Sequence, residues 1–271
     1  MRQPINLKRA TELIGQWLWG NRKVLVSVLA AVSAFELLFN IPTHIYWWIG
    51  LLAGVLILAS WWTSNLSFRS YKLWIVIGQM LWVTAAGVGY VIFNLVLQWQ
   101  FQITALIMGV LWFGLFSLYQ SYGETGSWPV RALPVLDFVD LLAFFFAGAS
   151  LMMAGDFYSL PVVWIILGFT LQAIFGLILR FLREDLSGLR KWLYALVAIL
   201  ITEEIVWVAS FWHRGVFLRT FFVSVVFYLM ADFIDHYSRG QLTVKVAMEY
   251  VGLVLAVLVG VLIVDGFLVL R

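Results

Sequence analysis

The sequence contains no cysteine, only five prolines and few charged residues for its length. The absence of cysteine excludes disulfides, thiol catalysis and thiolate metal sites. The prolines all fall at or outside the ends of the long apolar runs, at positions 4, 42, 129, 134 and 161. Because no run is broken by proline, the sequence argues against a transporter built on discontinuous helices.

Charged residues make up 11% of the chain, against about 25% in an average soluble domain. With a net charge of +3 and no basic domain outside the apolar runs, nucleic-acid binding is not expected. There is no Gly-rich phosphate loop and no dinucleotide fingerprint, which excludes a pump that binds ATP by itself. The sequence implies no cofactor.

Apolar residues make up 63% of the chain, which is too many for the core of one soluble domain. Nine runs could each cross the ~30 Å hydrocarbon layer of a bilayer: 24–40, 45–64, 73–97, 103–119, 134–153, 159–179, 192–212, 217–234 and 246–270. We therefore expect an all-α fold, namely a polytopic transmembrane helix bundle of about nine spans. This domain occupies residues 24–271 and is surrounded by the lipid bilayer.

Residues 1–23 precede the first run and are expected to be cytoplasmic. Within them, residues 4–20 place five apolar side chains on one helical face: Leu7, Ala10, Ile14, Trp17 and Leu18. This pattern predicts an amphipathic helix that lies in the headgroup layer. The alternative is a loose N-terminal tail, because a short helix is marginal without burial.

The distribution of Lys and Arg predicts an orientation for this layout. With the N-terminus in the cytoplasm, 14 of the 17 basic residues lie on the cytoplasmic side and 3 lie outside: Arg214, Arg219 and Arg271. The C-terminus is then outside. A different number of spans would move the later loops between sides and would remove this asymmetry.

Glu203 and Glu204 lie near the middle of the run 192–212. A charged side chain at mid-bilayer costs ~2.5–3.5 kcal/mol on insertion scales, so neighbouring helices should shelter both. Adjacent residues point about 100° apart on a helix, so one glutamate can face a cavity while the other packs. Two interpretations stay open: a substrate or proton path through the glutamates, or a hydrogen-bonded pair that fixes helix packing.

Glu36 and Arg219 lie at similar depths, toward the outer ends of their spans. This match makes the two residues plausible partners in an ion pair, and the favoured alternative is that each side chain reaches the outer interface independently. The sequence thus favours a small-solute or ion carrier that uses Glu203, Glu204, Glu36 and Arg219. The alternative is a non-catalytic membrane scaffold or accessory subunit, with membrane protein partners that the sequence does not identify.

A second acidic group is expected on the cytoplasmic side and consists of Asp137, Asp140, Asp232, Asp235 and Glu249. Asp232 and His236 are four residues apart, a spacing that suits two metal ligands on one helix face. Asp235 and Arg239 have the same spacing, which is also that of an ordinary helix ion pair. Ion pairing is favoured, and no metal site is predicted.

Small residues and deep tryptophans predict helix contacts. Gly50 and Gly54 are four residues apart, and Gly252, Ala256 and Gly260 repeat at the same interval. Such spacing favours close helix packing within the chain over a dimer interface. The tryptophans that lie deep in their runs are also expected to pack, namely Trp82, Trp112 and Trp207.

The glutamate pair resembles the first motif of the intramembrane CAAX-type protease family, Glu-Glu-x-x-x-Arg. Val208 stands at the arginine position, and none of the three histidines lies at mid-span. A metal-dependent hydrolase needs ligands that activate its water, so protease activity is not expected.

Residues 195–265 are similar in pattern to uncharacterised multi-pass membrane proteins of small-genome bacteria. The pattern consists of a span with glutamate and tryptophan, a span ending near Tyr228, a short basic turn and a final span. The resemblance implies a bacterial cytoplasmic membrane and no particular activity.

Overall fold

The structure is a computed structural model that describes residues 20–40, 45–93, 98–126, 132–183, 189–212, 215–238 and 240–269. Over these residues the chain forms nine helices and no strand: α1 (Arg22–Asn40), α2 (Ile45–Ser64), α3 (Tyr71–Phe93), α4 (Gln98–Thr125), α5 (Ala132–Tyr158), α6 (Val162–Arg183), α7 (Leu189–Ser210), α8 (Val216–Ser238) and α9 (Val244–Val269). Long apolar runs become helices because a helix satisfies every backbone N–H and C=O within one segment, which hydrocarbon requires.

Each predicted run corresponds to one of these helices, so the predicted all-α helix bundle is confirmed. Eight helices of the described chain, α2 to α9, are long and apolar enough to cross a membrane. The protein is therefore an integral membrane protein in contact with lipid. The predicted interfacial helix at 4–20 falls on residues that lie almost entirely outside the described ranges.

The chain divides into two compact units. The first unit comprises residues 1–81 and 97–136, and the second comprises residues 82–96 and 137–271. In the first unit, α1 packs against α2 and α4, and α2 also packs against α4. In the second unit, α6 packs against α7, α7 against α8, and α8 against α9.

Aromatic rings fill the interior of the first unit. Phe35 stacks on Phe101 and meets Trp112 edge-on, with ring centroids 5.8 Å apart in both pairs. One polar contact lies within this apolar packing, because the hydroxyl of Tyr119 donates to Oε1 of Gln79 at 2.7 Å. Both side chains are fully buried, so the bond satisfies groups that hydrocarbon would leave unpaired.

The second unit is held by close helix contacts around Phe144. This ring stacks on Phe227 with centroids 4.2 Å apart and contacts Phe169 at 5.8 Å. At Gly148 the helices approach so closely that an added methyl group would lie 2.8 Å from the Phe169 ring and 2.9 Å from the methyl of Thr220. Glycine is needed there because a larger side chain would push the helices apart.

A tight turn joins α5 to α6. Ser159 adopts a left-handed conformation with φ of 52°, and the N–H of Leu160 donates to the carbonyl of Gly155 at 3.0 Å. This is the hydrogen bond of a Schellman cap, and Pro161 then prevents α5 from continuing. The turn sends α6 back along α5, so the start of α5 and the end of α6 lie at the same end of the unit.

Two expectations about packing need correction. Trp82 and Trp112 are buried as predicted, but Trp207 is 54% exposed and faces outward from α7. A methyl group added at the glycines of the two predicted stripes would meet nothing within 4 Å in the described chain: Gly50, Gly54, Gly252 and Gly260. The described helices therefore do not pack closely against these stripes, contrary to the prediction.

Candidate functional site

Three helices of the second unit each carry two charged residues three positions apart. These pairs are Asp137 and Asp140 in α5, Arg180 and Arg183 in α6, and Asp232 and Asp235 in α8. Residues three apart lie on one face of a helix, so the two side chains of each pair point the same way. The pairs lie near the start of α5 and the ends of α6 and α8, where they meet. We refer to these six residues as the Asp–Arg cluster.

Arg183 is enclosed by the two aspartates of α5. Its Nη2 donates to Oδ2 of Asp140 and also to Oδ1 of Asp137, which lies 3.3 Å away. Only 1% of the arginine side chain is exposed. A charge so far from water is tolerated only with carboxylate partners. The contacts therefore fix the end of α6 against the start of α5.

Arg180 extends the cluster to α8. Its Nε donates to Oδ2 of Asp235, and its Nη2 donates to Oδ1 of Asp232 at 3.1 Å. The same Nη2 lies 3.7 Å from Oδ2 of Asp137. Because both arginines contact Asp137, the six residues form one continuous ionic network rather than separate pairs.

Helix α9 joins the cluster through Tyr250. Its hydroxyl donates to Oδ2 of Asp232 and lies 3.1 Å from Nδ1 of His236. The side chains of Asp232 and His236 are 29% and 38% exposed, whereas 8% of the Arg180 side chain is exposed. We call Asp232, His236 and the hydroxyl of Tyr250 the polar rim. These groups are more exposed than Arg180, so the polar rim is the part of the site that a ligand can reach.

Asp232 and His236, whose spacing suits two metal ligands, contact other members of the site. Their side chains face Arg180 and Tyr250, and within the described ranges no group of three or more His, Asp or Glu residues is arranged to hold a metal ion. Asp235 binds Arg180, whereas its predicted partner Arg239 lies outside the described residues.

The Asp–Arg cluster carries more negative than positive charge, since four carboxylates meet two guanidinium groups. A cavity of about 20 Å³ lies beside Asp137, Asp140 and Arg180. A cavity needs ~10–15 Å³ to hold one water, so this one fits a single water molecule. The buried Nε1 of Trp82, which also lines the cavity, has no hydrogen-bond partner among the described residues.

An apolar groove of about 520 Å³ lies between α7, α8 and α9. Its walls include Val197 of α7, Phe233 of α8 and Val254 of α9. Small-molecule sites typically measure ~300–1,000 Å³, so the groove is large enough for a ligand. Tyr250 belongs to both features, because its ring lines the groove while its hydroxyl binds Asp232.

The two glutamates predicted as site residues have different surroundings. Glu203 is half-buried and accepts a 2.6 Å hydrogen bond from Oγ1 of Thr170. Glu204 is exposed on α7 and pairs with no residue of the described chain. Neither glutamate lines the water-sized cavity or the apolar groove.

The predicted pair of Glu36 and Arg219 is distributed over the two units. Arg219 is buried in the second unit, where its Nη2 donates to Oδ2 of Asp156. Glu36 is half-buried in α1 of the first unit. Their ion pair, and a path that joins them to Glu203 and Glu204, stay predictions.

Sequence reasoning missed the roles of Arg180, Arg183 and Tyr250. Part of the signal was present, because three helix ends repeat the same spacing of three between charged residues. Tyr250 carries no charge, and its contact depends on how α9 lies against α8. Spacing along one helix does not encode that arrangement.

Comparison with protein-family models gives a match over most of the chain. A family model described as "Protein of unknown function (DUF5656)" matches residues 63–264. The matched segment contains the whole Asp–Arg cluster, the polar rim and the glutamate pair, whereas Glu36 precedes it. No curated protein and no solved structure matches the chain.

Proposed function

The chain belongs to the DUF5656 family, and we propose that it binds a membrane amphiphile, with the alkyl chain in the apolar groove and the headgroup at the polar rim. One observation carries the proposal: Tyr250 lines the groove with its ring and reaches the charged cluster with its hydroxyl. An amphiphile needs this combination of an apolar wall that ends at polar groups.

The position of the polar rim along the helices suits a headgroup. Asp232 lies two residues before the end of the apolar run 217–234, and Tyr250 lies four residues after the start of the run 246–270. At 1.5 Å per residue they are about 3 Å and about 6 Å from the ends of these runs. The groove extends deeper, to Val254 and Leu255. An amphiphile can therefore keep its headgroup near the membrane surface while its chain lies among apolar side chains.

The groove can be tested by filling it. Val254 lines the groove, whereas Val259 lies on the same helix, is exposed and is not part of the groove wall. We expect Val254→Trp to lower the amount of lipid that stays bound after detergent exchange about tenfold, equivalent to ~1.4 kcal/mol. Val259→Trp is the matched control and should retain lipid as the unmodified chain does.

Native mass spectrometry of the purified protein gives this measurement, because it resolves each bound lipid by its mass. Lipid retention that is equal in both variants would overturn the proposal. Displacement of the lipid by a protein that copurifies in stoichiometric amount would also overturn it, since the groove would then be a protein interface.

A second candidate function is a carrier of protons or small cations. It is favoured by the excess of carboxylates in the Asp–Arg cluster and by the cavity for one water beside Asp137 and Asp140. Glu203 and Glu204, with Glu36 and Arg219, would extend the path across the membrane. In this proposal the N-terminus and the Asp–Arg cluster face the cytoplasm of a bacterium, and the C-terminus lies outside.

Flux into proteoliposomes tests the carrier. We expect the double variant Glu203→Gln/Glu204→Gln to lose a pH-dependent flux, and Glu124→Gln, an exposed site at the end of α4, to keep it. Normal flux in the double variant would rule out a path through the glutamates. Loss of stability without any flux to lose would favour the alternative of a scaffold or accessory subunit.

A further inference from the structure

Glu204 is an exposed carboxylate deep in a membrane span. It lies three residues past the centre of the apolar segment Trp192–Ser210 and six residues, about 9 Å, before the end of α7. A glutamate side chain is too short to cover that distance to the membrane surface. A charged group in this position costs ~2.5–3.5 kcal/mol on insertion scales unless a partner offsets it.

The neighbouring Glu203 has a hydrogen-bonding partner on another helix. Its carboxylate accepts the hydroxyl of Thr170 and is half-buried against α6. Glu204 points about 100° away around the helix and pairs with no residue of the described chain. Nothing among the described residues offsets the cost of Glu204, whereas a cation on a partner helix would offset it.

Glu204 lies within a continuous exposed face of α7. The neighbours at positions 4 before and 3, 4 and 7 after it are all exposed: Leu200, Trp207, Val208 and Phe211. Trp207 and Phe211 also meet edge-on, with ring centroids 5.2 Å apart. We call these five residues the Glu204 face. It is a helix-wide apolar strip with one acid at its centre, which is the pattern of a helix-docking surface.

We propose that the Glu204 face binds a transmembrane helix of another protein that carries a lysine or arginine at mid-span. A cation at that depth pairs with Glu204 and loses its own cost of burial in hydrocarbon, so the two charges select each other. The aromatic and aliphatic side chains around Glu204 pack against the same helix. This inference is independent of the apolar groove, to which Glu204 does not contribute.

The described helices of a second copy of this chain do not supply the cation. Every Lys and Arg in the described helices lies within the first or last four residues of its helix. A two-fold dimer through the Glu204 face would also bring the same surface of both copies together and place one carboxylate against the other. Lipid tails offer neither charge nor hydrogen bonds. The chemistry of the face therefore points to a different protein.

Fluorescence energy transfer in liposomes tests the proposal with defined probes. The full chain carries the donor, and the acceptor is on a synthetic polyleucine transmembrane helix with one lysine at its centre. We expect association that weakens about tenfold when leucine replaces the lysine, when the lysine moves two turns toward the end, or when the chain carries Glu204→Gln. Glu249→Gln changes an exposed glutamate near the start of α9 and should leave association unchanged.

A second variant and a stability measurement separate docking from misfolding. Trp207→Ala removes an exposed ring of the Glu204 face and should weaken association while the thermal unfolding temperature stays the same. Equal binding of the lysine helix to the unmodified chain and to Glu204→Gln would overturn the proposal. So would equal binding of the all-leucine helix, no association, or energy transfer between copies of the chain that depends on Glu204.

Discussion

Arg183 in α6 donates to the carboxylate of Asp140 in α5, and almost none of the arginine side chain is exposed. The two residues are 43 positions apart in the sequence. Their contact connects the end of α6 to the start of α5, at the opposite end of this helix pair from the tight turn at Ser159. The Asp–Arg cluster is therefore a structural clamp as well as a candidate headgroup site, and stability and binding measurements separate the two roles.

If the Asp–Arg cluster holds α5 and α6 together, removal of the charge of Arg183 should lower the stability of the protein. Arg183→Met removes a cation that Asp140 and Asp137 both contact, while Asp137 keeps its contact with Arg180. Loss of one partner from a buried ion pair typically costs ~3–5 kcal/mol. We expect a clearly lower thermal unfolding temperature for the purified protein. Arg69→Met, at an exposed position between α2 and α3, should change stability by less than ~0.5 kcal/mol. If Arg183→Met were as stable as Arg69→Met, the Asp–Arg cluster would not stabilise the protein as proposed.

The helices could be predicted because a long apolar run in hydrocarbon must satisfy its own backbone hydrogen bonds, which a helix does. The runs 45–64 and 192–212 coincide closely with α2 and with most of α7. The Asp–Arg cluster could not be predicted in the same way. Spacing shows that Arg180 and Arg183 share a face of their helix, but the rotation of that helix decides which aspartates they meet.

The same limit explains the errors. Trp207 was predicted to pack, and both glutamates were expected to be sheltered, because each lies deep in an apolar run. The sequence shows how deep a residue lies along its helix. The direction in which its side chain points depends on how the helices assemble. Trp207 and Glu204 prove to share the outward face of α7, while Glu203, one residue earlier, meets Thr170.

The hydroxyl of Tyr250 should stabilise the polar rim. Tyr250→Phe keeps the ring in the groove and removes the donor to Asp232, and hydrogen bonds to charged groups contribute ~1.5–3 kcal/mol. We expect a lower unfolding temperature and weaker selection among lipid headgroups, measured by native mass spectrometry with mixed lipids. Tyr237→Phe, an exposed ring on α8, is the control and should change neither quantity. Unchanged headgroup selection in Tyr250→Phe would remove this residue from headgroup recognition.

Two glycines of α4 should respond with opposite signs to the same substitution. At Gly123 an added methyl group would lie 2.7 Å from the carbonyl carbon of Ser64 and closer still to its oxygen, so Gly123→Ala must push α2 and α4 apart. Overpacking of this kind costs ~1–3 kcal/mol. At Gly114 the methyl group meets nothing within 4 Å, and Gly114→Ala should stabilise the helix by up to ~1 kcal/mol.

Thermal unfolding of the two alanine variants under identical conditions makes the comparison. An unfolding temperature that rises or stays the same in Gly123→Ala would show that the helices have room to separate.

The hydroxyl of Thr170 lies 2.6 Å from Oε1 of Glu203 and 2.9 Å from the carbonyl oxygen of Ile166 in its own helix, and the contact with Glu203 should contribute to stability. Thr170→Val keeps the shape of the side chain but removes the hydroxyl that donates to Oε1, which leaves a partly buried carboxylate without this bond. A buried group deprived of its partner costs ~1–3 kcal/mol. Thr104→Val is the control, because the Thr104 hydroxyl donates only to the carbonyl of Gln100 within its own helix. We expect Thr170→Val to unfold at a lower temperature than Thr104→Val.

A double-mutant cycle with Glu203→Leu then measures the coupling between the two side chains, and Glu203→Gln is the comparison. Glutamine keeps an oxygen that accepts the threonine hydroxyl, so Glu203→Gln alone should lower stability little. Glu203→Leu should make Thr170→Val nearly harmless, because the hydroxyl then has no carboxylate to bind. The interaction energy should fall between ~0.5 and 3 kcal/mol, the range for residues in direct contact. A cycle in which the effects of Thr170→Val and Glu203→Leu simply add would mean that the 2.6 Å contact does not stabilise the protein.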